Sequence, residues 1–305
     1  MTASPLRIAT RSSPLALAQT DLVAAMLRAA APDLQVEAVP LVTEGDRRTD
    51  VPLSELGGKG VFATEVQAAL LAGRADVAVH SAKDLPALTP PGLVIGAVPE
   101  RADPRDALVG ASLDRLPTGA TVATGSRRRR VQLAHLRGDL RFVDLRGNMA
   151  TRLDRVGRDS IAAVVVAVAA LDRLGWSGRL EPGASEVFDP GSFVPQVGQG
   201  ALAVECRADD DRVLQLLRSI EDVDSRRCVD AERAFLAELG GDCDLPAGAH
   251  ARAAGDGLVL HAVLSPADWT GHPAPVARVE LHGDDPDRLG RSAAVDLRAA
   301  LAELA

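Results

Sequence analysis

The sequence predicts an α/β protein that ends in a small α+β domain. Three observations carry this reading. Short apolar strand patterns alternate with helical ones from residue 6 to the polar stretch Pro99–Arg105. The alternation resumes beyond that stretch. Near residue 222 it gives way to a helix, two strands and a last helix. Alternating strand and helix signals imply a mostly parallel sheet with helices on both faces.

The elements follow in chain order. Leu6–Thr10 is a short apolar strand. Ser13 and Pro14 read as the cap and first residue of a helix over 14–30, with Leu15, Ala18, Leu22 and Met26 at helical spacing. Gln35–Leu41 is a strand, and Gly57-Gly58-Lys59-Gly60 is a loop leading into a helix over 62–72. Asp76–His80 is a strand that turns at Ser81–Pro86. The second series has strands at Thr121–Ala123, 141–145 and 161–168, with helices over 127–136 and 148–156. Gly183–Gly200 is a Gly- and Pro-rich linker, followed by a strand at Ala201–Cys206 and a helix over 209–219. The last part has a helix over 224–239, the loop Gly240–Gly248, strands near 257–264 and 276–282, and a helix over 285–304.

Composition narrows the function. The net charge of -8, the absence of Tyr and the 2% aromatic content argue against a nucleic-acid-binding module. The longest apolar stretch, Ile161–Leu171, is too short to cross a bilayer, and the N-terminus lacks a signal-peptide pattern, so a cytoplasmic location is expected. Three cysteines without CxxC spacing disfavour a disulfide framework and a zinc site, and no metal is expected. Cys206 and Cys228 lie in strand and helix patterns and are expected as buried thiols. Cys243 instead lies in a Gly/Pro loop between Asp242 and Asp244. Flanking carboxylates do not favour a thiolate, so covalent anchoring fits better than turnover nucleophilicity; an incidental exposed thiol is the alternative.

Three strand-to-helix junctions carry basic and hydroxyl residues: Thr10–Ser13, Thr124–Arg130 and Arg146–Arg152. Helix N-termini favour anions, and Arg with Ser or Thr adds charge-assisted hydrogen bonds suited to carboxylates or phosphates. Their coincidence points to a polyanionic ligand beyond the strand ends, although an Arg run alone is usually a solvated helix face. His80-Ser81-Ala82-Lys83-Asp84 places a carboxylate beside an ammonium, which suits proton handling on an acidic substrate; taken alone, it reads as a turn with a surface ion pair. Only Lys59 and Lys83 are lysines among 34 basic residues. Codon bias toward Arg accounts for the total; Lys83 sits in the His80–Asp84 motif and Lys59 in the Gly57–Gly60 loop.

Taken together, the segments resemble the hydroxymethylbilane synthase (porphobilinogen deaminase) family. The resemblance rests on LRIATRSSPLALAQ (6–19), GGKGVFATE (57–65), ADVAVHSAKDLP (75–86) and ERADPRDAL (100–108). It continues through ATGSRRRRVQL (123–133), DLRGNMATRLDR (144–155), VGQGALAVECR (197–207) and GGDCDLPAG (240–248). It implies two lobes like those of periplasmic binding proteins, the first discontinuous (1–98 and 197–219) and the second at 103–194. A C-terminal domain over 220–305 would carry the cysteine.

The family's reaction is implied with it. Four molecules of porphobilinogen, a pyrrole bearing acetate, propionate and aminomethyl groups, are condensed with loss of ammonia, and water releases linear hydroxymethylbilane. The chain grows on a dipyrromethane cofactor held by a thioether, which maps to Cys243. Asp84 maps to the catalytic acid. Arg11, Ser13, Lys83, Thr124, Ser126, Arg128, Arg129, Arg146 and Arg152 match carboxylate-binding positions. Ser81 matches a further cofactor contact, Phe62 would lie over the growing chain, and Lys59 joins the binding set from its Gly-rich loop. A monomer acting on a small molecule, without nucleic acid or membrane, is expected. Gly125 and Arg127 depart from the Ser and apolar residue of many members, and Asp242 and Asp244 from the small or amide residues common there. The rival reading is a non-catalytic two-lobe sensor of an acidic ligand, which needs neither Asp84 nor Cys243.

Overall fold

The computed structural model describes residues 4–43, 63–240, 245–266, 268–269 and 273–303. Lys59, Phe62 and the loop residues Asp242, Cys243 and Asp244 lie outside them. The chain opens with β1 (Leu6–Arg11), α1 (Pro14–Ala30), β2 (Val36–Leu41), α2 (Thr64–Leu71), β3 (Val77–Ser81) and β4 (Leu93–Ala97). It continues with β5 (Asp106–Val109), β6 (Thr121–Ala123), α3 (Arg127–Leu136), β7 (Arg141–Val143), α4 (Met149–Leu153), β8 (Ile161–Ala167), α5 (Val168–Arg173) and β9 (Ser185–Val187). Then come β10 (Leu202–Arg207), α6 (Asp211–Leu217), α7 (Val223–Glu238), β11 (Ala247–Ala254), β12 (Gly257–Leu264), β13 (Ala277–Gly283) and α8 (Pro286–Glu303).

Three sheets result. The first lobe has the order β2-β1-β3-β10-β4, the second β7-β6-β8-β5-β9, and the C-terminal unit β11-β12-β13. In the first lobe β1 is parallel to β2 and β3, while β10 is antiparallel to β3 and β4. The second lobe repeats this: β6 is parallel to β7 and β8, and β5 is antiparallel to β8 and β9. The sheets are therefore mixed rather than mostly parallel. The cause is the chain path: β5 and β10 are the first strands after each crossing and run against the strands they join.

Other differences from the expected elements have local causes. Helix α1 forms where expected, with Ser13 as its cap accepting from the Ala16 N–H at 3.3 Å. Its buried face, however, is Ala16, Gln19, Thr20, Val23, Ala24 and Leu27, and Leu22 is exposed. An Ala-rich helix offers two similar stripes, and the buried one carries polar residues that are used: the Thr20 hydroxyl donates to the Ala16 carbonyl, and Gln19 is engaged as described below. The C-terminal unit has three strands rather than two. Its first, β11, is small and Ala-rich and starts inside the stretch expected as loop. Strands β4, β5 and β9 were hidden in short segments between turn residues.

Each unit has its own apolar core: Ile8, Val23, Val77 and Val204 in the first lobe, Leu108, Val122, Val165 and Phe193 in the second, and Phe235, Leu260 and Leu297 in the third. Burying each large side chain stabilises by about 1.5–3 kcal/mol. Cys206 and Cys228 are buried free thiols as expected, and burial pushes both up to about 11. Among the described residues no helix is long and apolar enough to cross a membrane.

The crossing segments are wired to all three units. In the first, Arg101 donates to the Gln199 carbonyl and forms a 2.6 Å ion pair with fully buried Glu232 of α7. Glu232 also accepts from the backbone N–H of Gly198 in the second crossing and of Ala251 in β11. Burial alone would raise the Glu232 pKa, but Arg101 and His250 outweigh it and hold it low. The two crossings lie against each other, with the Ala102 N–H donating to the Gly200 carbonyl.

That contact explains the second glycine of VGQG. Gly200 has φ +86°, and a Cβ there would meet the Ala102 carbonyl oxygen at 2.4 Å. Gly119 also has positive φ but has nothing within 4 Å. Gly119→Ala should therefore cost only the left-handed backbone strain, about 1–2 kcal/mol. Gly200→Ala should cost clearly more in urea unfolding, because the crossings must also separate. Equal losses for the two variants would show that the crossings have slack at this point.

Candidate active site

The charged junctions sit at the C-terminal ends of parallel strands in both lobes. Arg11 ends β1, and Ser81 ends β3, leading straight into a 3-10 turn that holds Lys83 and Asp84. Arg128 and Arg129 lie in the first turn of α3 after β6, and Arg146 and Arg152 flank and join α4 after β7. The lobes turn these ends toward each other. Lys83 feels the charges of Arg129, Asp106 and Arg152 from the opposite lobe, and Arg152 feels Asp84 and Arg11.

Several expected binding residues also hold their own loops. The Ser126 hydroxyl caps α3 by accepting from the Arg129 N–H at 3.4 Å, and Thr124 Oγ1 accepts from the Ser126 N–H at 3.2 Å. Thr124 is buried, and its carbonyl accepts from the Arg130 guanidinium. Asn148 caps α4, and Arg152 Nε donates to the Gly147 carbonyl. The Ser81 hydroxyl accepts from Gln19 Nε2 at 2.8 Å. Gln19 lies 4% exposed in mid-helix, a position that sequence patterning reads as solvent-facing.

Arg128 and Arg129 behave differently from a solvated basic run. Both are buried and converge on Asp106, with ion-pair distances of 2.7 and 2.6 Å. Arg128 also donates to the Val194 carbonyl and lies over the Phe193 ring at 5.8 Å. Arg129 donates to the Val165 carbonyl. Burial would raise the Asp106 pKa, but the two guanidiniums outweigh it and hold the carboxyl well below its usual range. Asp106 is thus a site residue that sequence reading missed. It sits in ERADPRDAL, yet nothing in an acidic residue near a hinge signals that it will be the buried counter-charge for an arginine pair.

The remaining cations have charge to spare. Arg146 Nη2 is buried and makes no hydrogen bond among the described residues. Desolvation, reinforced by Arg129, lowers Arg152 to about 10. Desolvation and Arg129 likewise lower Lys83 to about 8, against the opposing pull of Asp84 and Asp106. Cations held together with too few counter-charges mark a binding site for an anion. A carboxylate-bearing ligand fits this set; a neutral one leaves Arg146 unsatisfied.

The strand that follows the cysteine loop, β11, starts beside the same place. Residue 248, five positions beyond Cys243, packs where a Cβ would lie 2.8 Å from Arg128 Cδ and 2.6 Å from the Pro195 carbonyl. The start of β11 therefore lies against Arg128 of α3. Gly125 and Arg127, the two departures in the Arg loop, are exposed, unlike the buried Arg128 and Arg129.

Comparison with known proteins shows the family. Residues 6–215 match the family model described as porphobilinogen deaminase, dipyromethane cofactor binding domain. Residues 226–299 match porphobilinogen deaminase, C-terminal domain. A porphobilinogen deaminase of Acidothermus cellulolyticus is 48% identical over 301 residues, covering 96% of this chain and 88% of the relative. One from Roseiflexus sp. (strain RS-1) is 48% identical over 266 residues, 86% of each chain. Among solved structures, the periplasmic aliphatic sulphonate binding protein SsuA of Escherichia coli aligns at 14% identity and a TM-score of 0.40, covering 78% of this chain and 71% of its own.

Lys83 gives a direct check on the site's electrostatics. Its ammonium is retained below about pH 8 and lost above it. An aldehyde reacts with the neutral amine. Labelling of Lys83 by pyridoxal phosphate and borohydride, followed by peptide mapping, should reach half its plateau rate near pH 8. A midpoint at the value of an ordinary solvated lysine would show that the ammonium is not desolvated.

Proposed function

Because the chain belongs to the porphobilinogen deaminase family, we propose that the cleft between its two α/β lobes is where it carries out the family's reaction. The enzyme is a transferase that condenses four porphobilinogen molecules with loss of ammonia and releases hydroxymethylbilane for tetrapyrrole synthesis. The observation that carries the placement is the surplus of desolvated cations, Lys83, Arg146 and Arg152, around Asp84. In this reading the enzyme is a cytoplasmic monomer whose partner is the small-molecule substrate.

The residues present fit a dipyrromethane cofactor, whose acidic side chains match unsatisfied guanidinium N–H groups. Cys243 is the proposed attachment point through a thioether. When bound, that group supplies the pyrrole carbon on which the chain is built. Arg11, Ser13, Ser81, Thr124, Ser126, Arg146 and Arg152 would orient carboxylates, with Lys59 and Phe62 joining from their loop. Arg128 and Arg129 would act from beneath, since Asp106 already holds them.

Asp84 is the proposed catalytic residue. Its carboxyl Oδ hands a proton to the substrate's aminomethyl nitrogen as the carbon–nitrogen bond breaks and ammonia leaves. The resulting carboxylate then faces the positive charge left on the pyrrole. Once the new bond is made, the Asp84 carboxylate would take up the proton released, which restores the acid. Lys83 beside it holds the substrate's carboxylate and keeps that charge balance local.

Asp84→Asn keeps the shape and removes the transferable proton. Turnover should fall at least about 100-fold, the usual contribution of such a group. Activity within a few-fold of wild type would remove Asp84 from this role. Cys243→Ala should show the unmodified polypeptide mass and no turnover, whereas wild type carries extra mass on the peptide containing residue 243. Finding the adduct on Cys206 or Cys228 would overturn the attachment. Arg146→Ala should lower kcat/KM by the equivalent of about 1.5–3 kcal/mol, the worth of a charged hydrogen bond.

A further inference from the structure

Gln199 sits between the two glycines of VGQG and is 1% exposed. It lies where the second crossing passes both lobes. Its Oε1 accepts from Lys83 Nζ of the first lobe at 3.2 Å. Its Nε2 donates to Asp106 Oδ1 of the second lobe at 3.0 Å and to the Pro104 carbonyl at 2.8 Å. The backbone is equally committed: the Gln199 carbonyl accepts from Arg101 Nε, and its N–H donates to the Gln196 carbonyl.

The chemistry permits one orientation of this amide. A carboxylate only accepts and an ammonium only donates, so the NH2 must face Asp106 and the carbonyl must face Lys83. The approach is also fixed from the backbone. A Cβ at Gly198 would sit 3.0 Å from the backbone nitrogen of Lys83, so the crossing presses directly on the turn that carries Lys83 and Asp84.

We infer that Gln199 is a positioning residue that joins the two lobes' charge sets, steering the Lys83 ammonium from the same side chain that grips Asp106. It transmits the position of the arginine-bound carboxylate to the cation beside the catalytic acid. The charged groups facing Lys83 are Asp84 in its own turn, Asp106 of β5, Arg129 of α3 and Arg152 of α4. Two of these are cations that disfavour the ammonium, so the Gln199 carbonyl is a neutral acceptor that favours it. The catalytic consequence rests on the cleft reading above, but the bridge itself does not.

The test compares Gln199→Leu and Gln199→Glu in the full-length enzyme, with pyridoxal phosphate and borohydride as the probe of Lys83. Leu removes the acceptor. The labelling midpoint should fall by about one pH unit or more, a tenfold change in the protonation equilibrium, as expected when a hydrogen bond to a charged group is lost. Glu keeps an acceptor toward Lys83 whether or not it is ionised, so its midpoint should stay at or above wild type. The alkaline limb of kcat/KM should follow the labelling in both variants. An unchanged midpoint in the Leu variant, or a fall of the same size in the Glu variant, would overturn the bridge. A labelling shift that the alkaline limb does not follow would leave the bridge standing and remove Lys83 from catalysis.

Discussion

Asp106 is a fully buried carboxylate that forms an ion pair with Arg128 while accepting hydrogen bonds from Arg129 and Gln199. The rest of the cleft depends on this cluster. An ion pair taken out of water is held only when its geometry is good and its remaining polar atoms are satisfied. Here the first strand of the second lobe supplies the anion, the first turn of α3 supplies both cations, and the crossing supplies the amide. None of these can shift without stranding a charge. The arginine-rich turn is thereby fixed relative to the hinge, and through Gln199 relative to the turn bearing Asp84.

This arrangement divides the cleft's positive charge into two classes. Arg128 and Arg129 share a single counter-charge, Asp106, which fixes them in place. Lys83, Arg146 and Arg152 lack matching counter-charges, and their desolvation or unsatisfied N–H groups make them the ones that gain from a carboxylate. A chain with a net charge of -8 can therefore concentrate positive potential in one cleft. Glu232 repeats the device at the third unit, tying Arg101, Gly198 and β11 to one helix.

Much of this was legible in the sequence. Ser13 and Pro14 marked the start of α1, and the junctions after β1, β3, β6 and β7 announced where charge would gather. The two glycines of VGQG were visible as a motif, but their reason lies in contacts about a hundred residues away, at Ala102 and Lys83. Gln19, Asp106 and Gln199 could not be read as site residues, because each acts through a partner distant in sequence. The strand direction was misread for a related reason: periodicity identifies a strand but not which neighbour it pairs with after a crossing. The stripe on α1 was misread because a polar residue with a buried partner looks the same, in sequence, as one facing water.

The central claim is that Asp106 is a buried counter-charge on which the cleft's framework depends. The most direct measurement is the urea-unfolding free energy of Asp106→Asn at neutral pH. Removing one member of a buried ion pair leaves the others uncompensated, so a loss of about 3–5 kcal/mol is predicted. A loss below about 1 kcal/mol, the range of a solvent-exposed pair, would contradict the account.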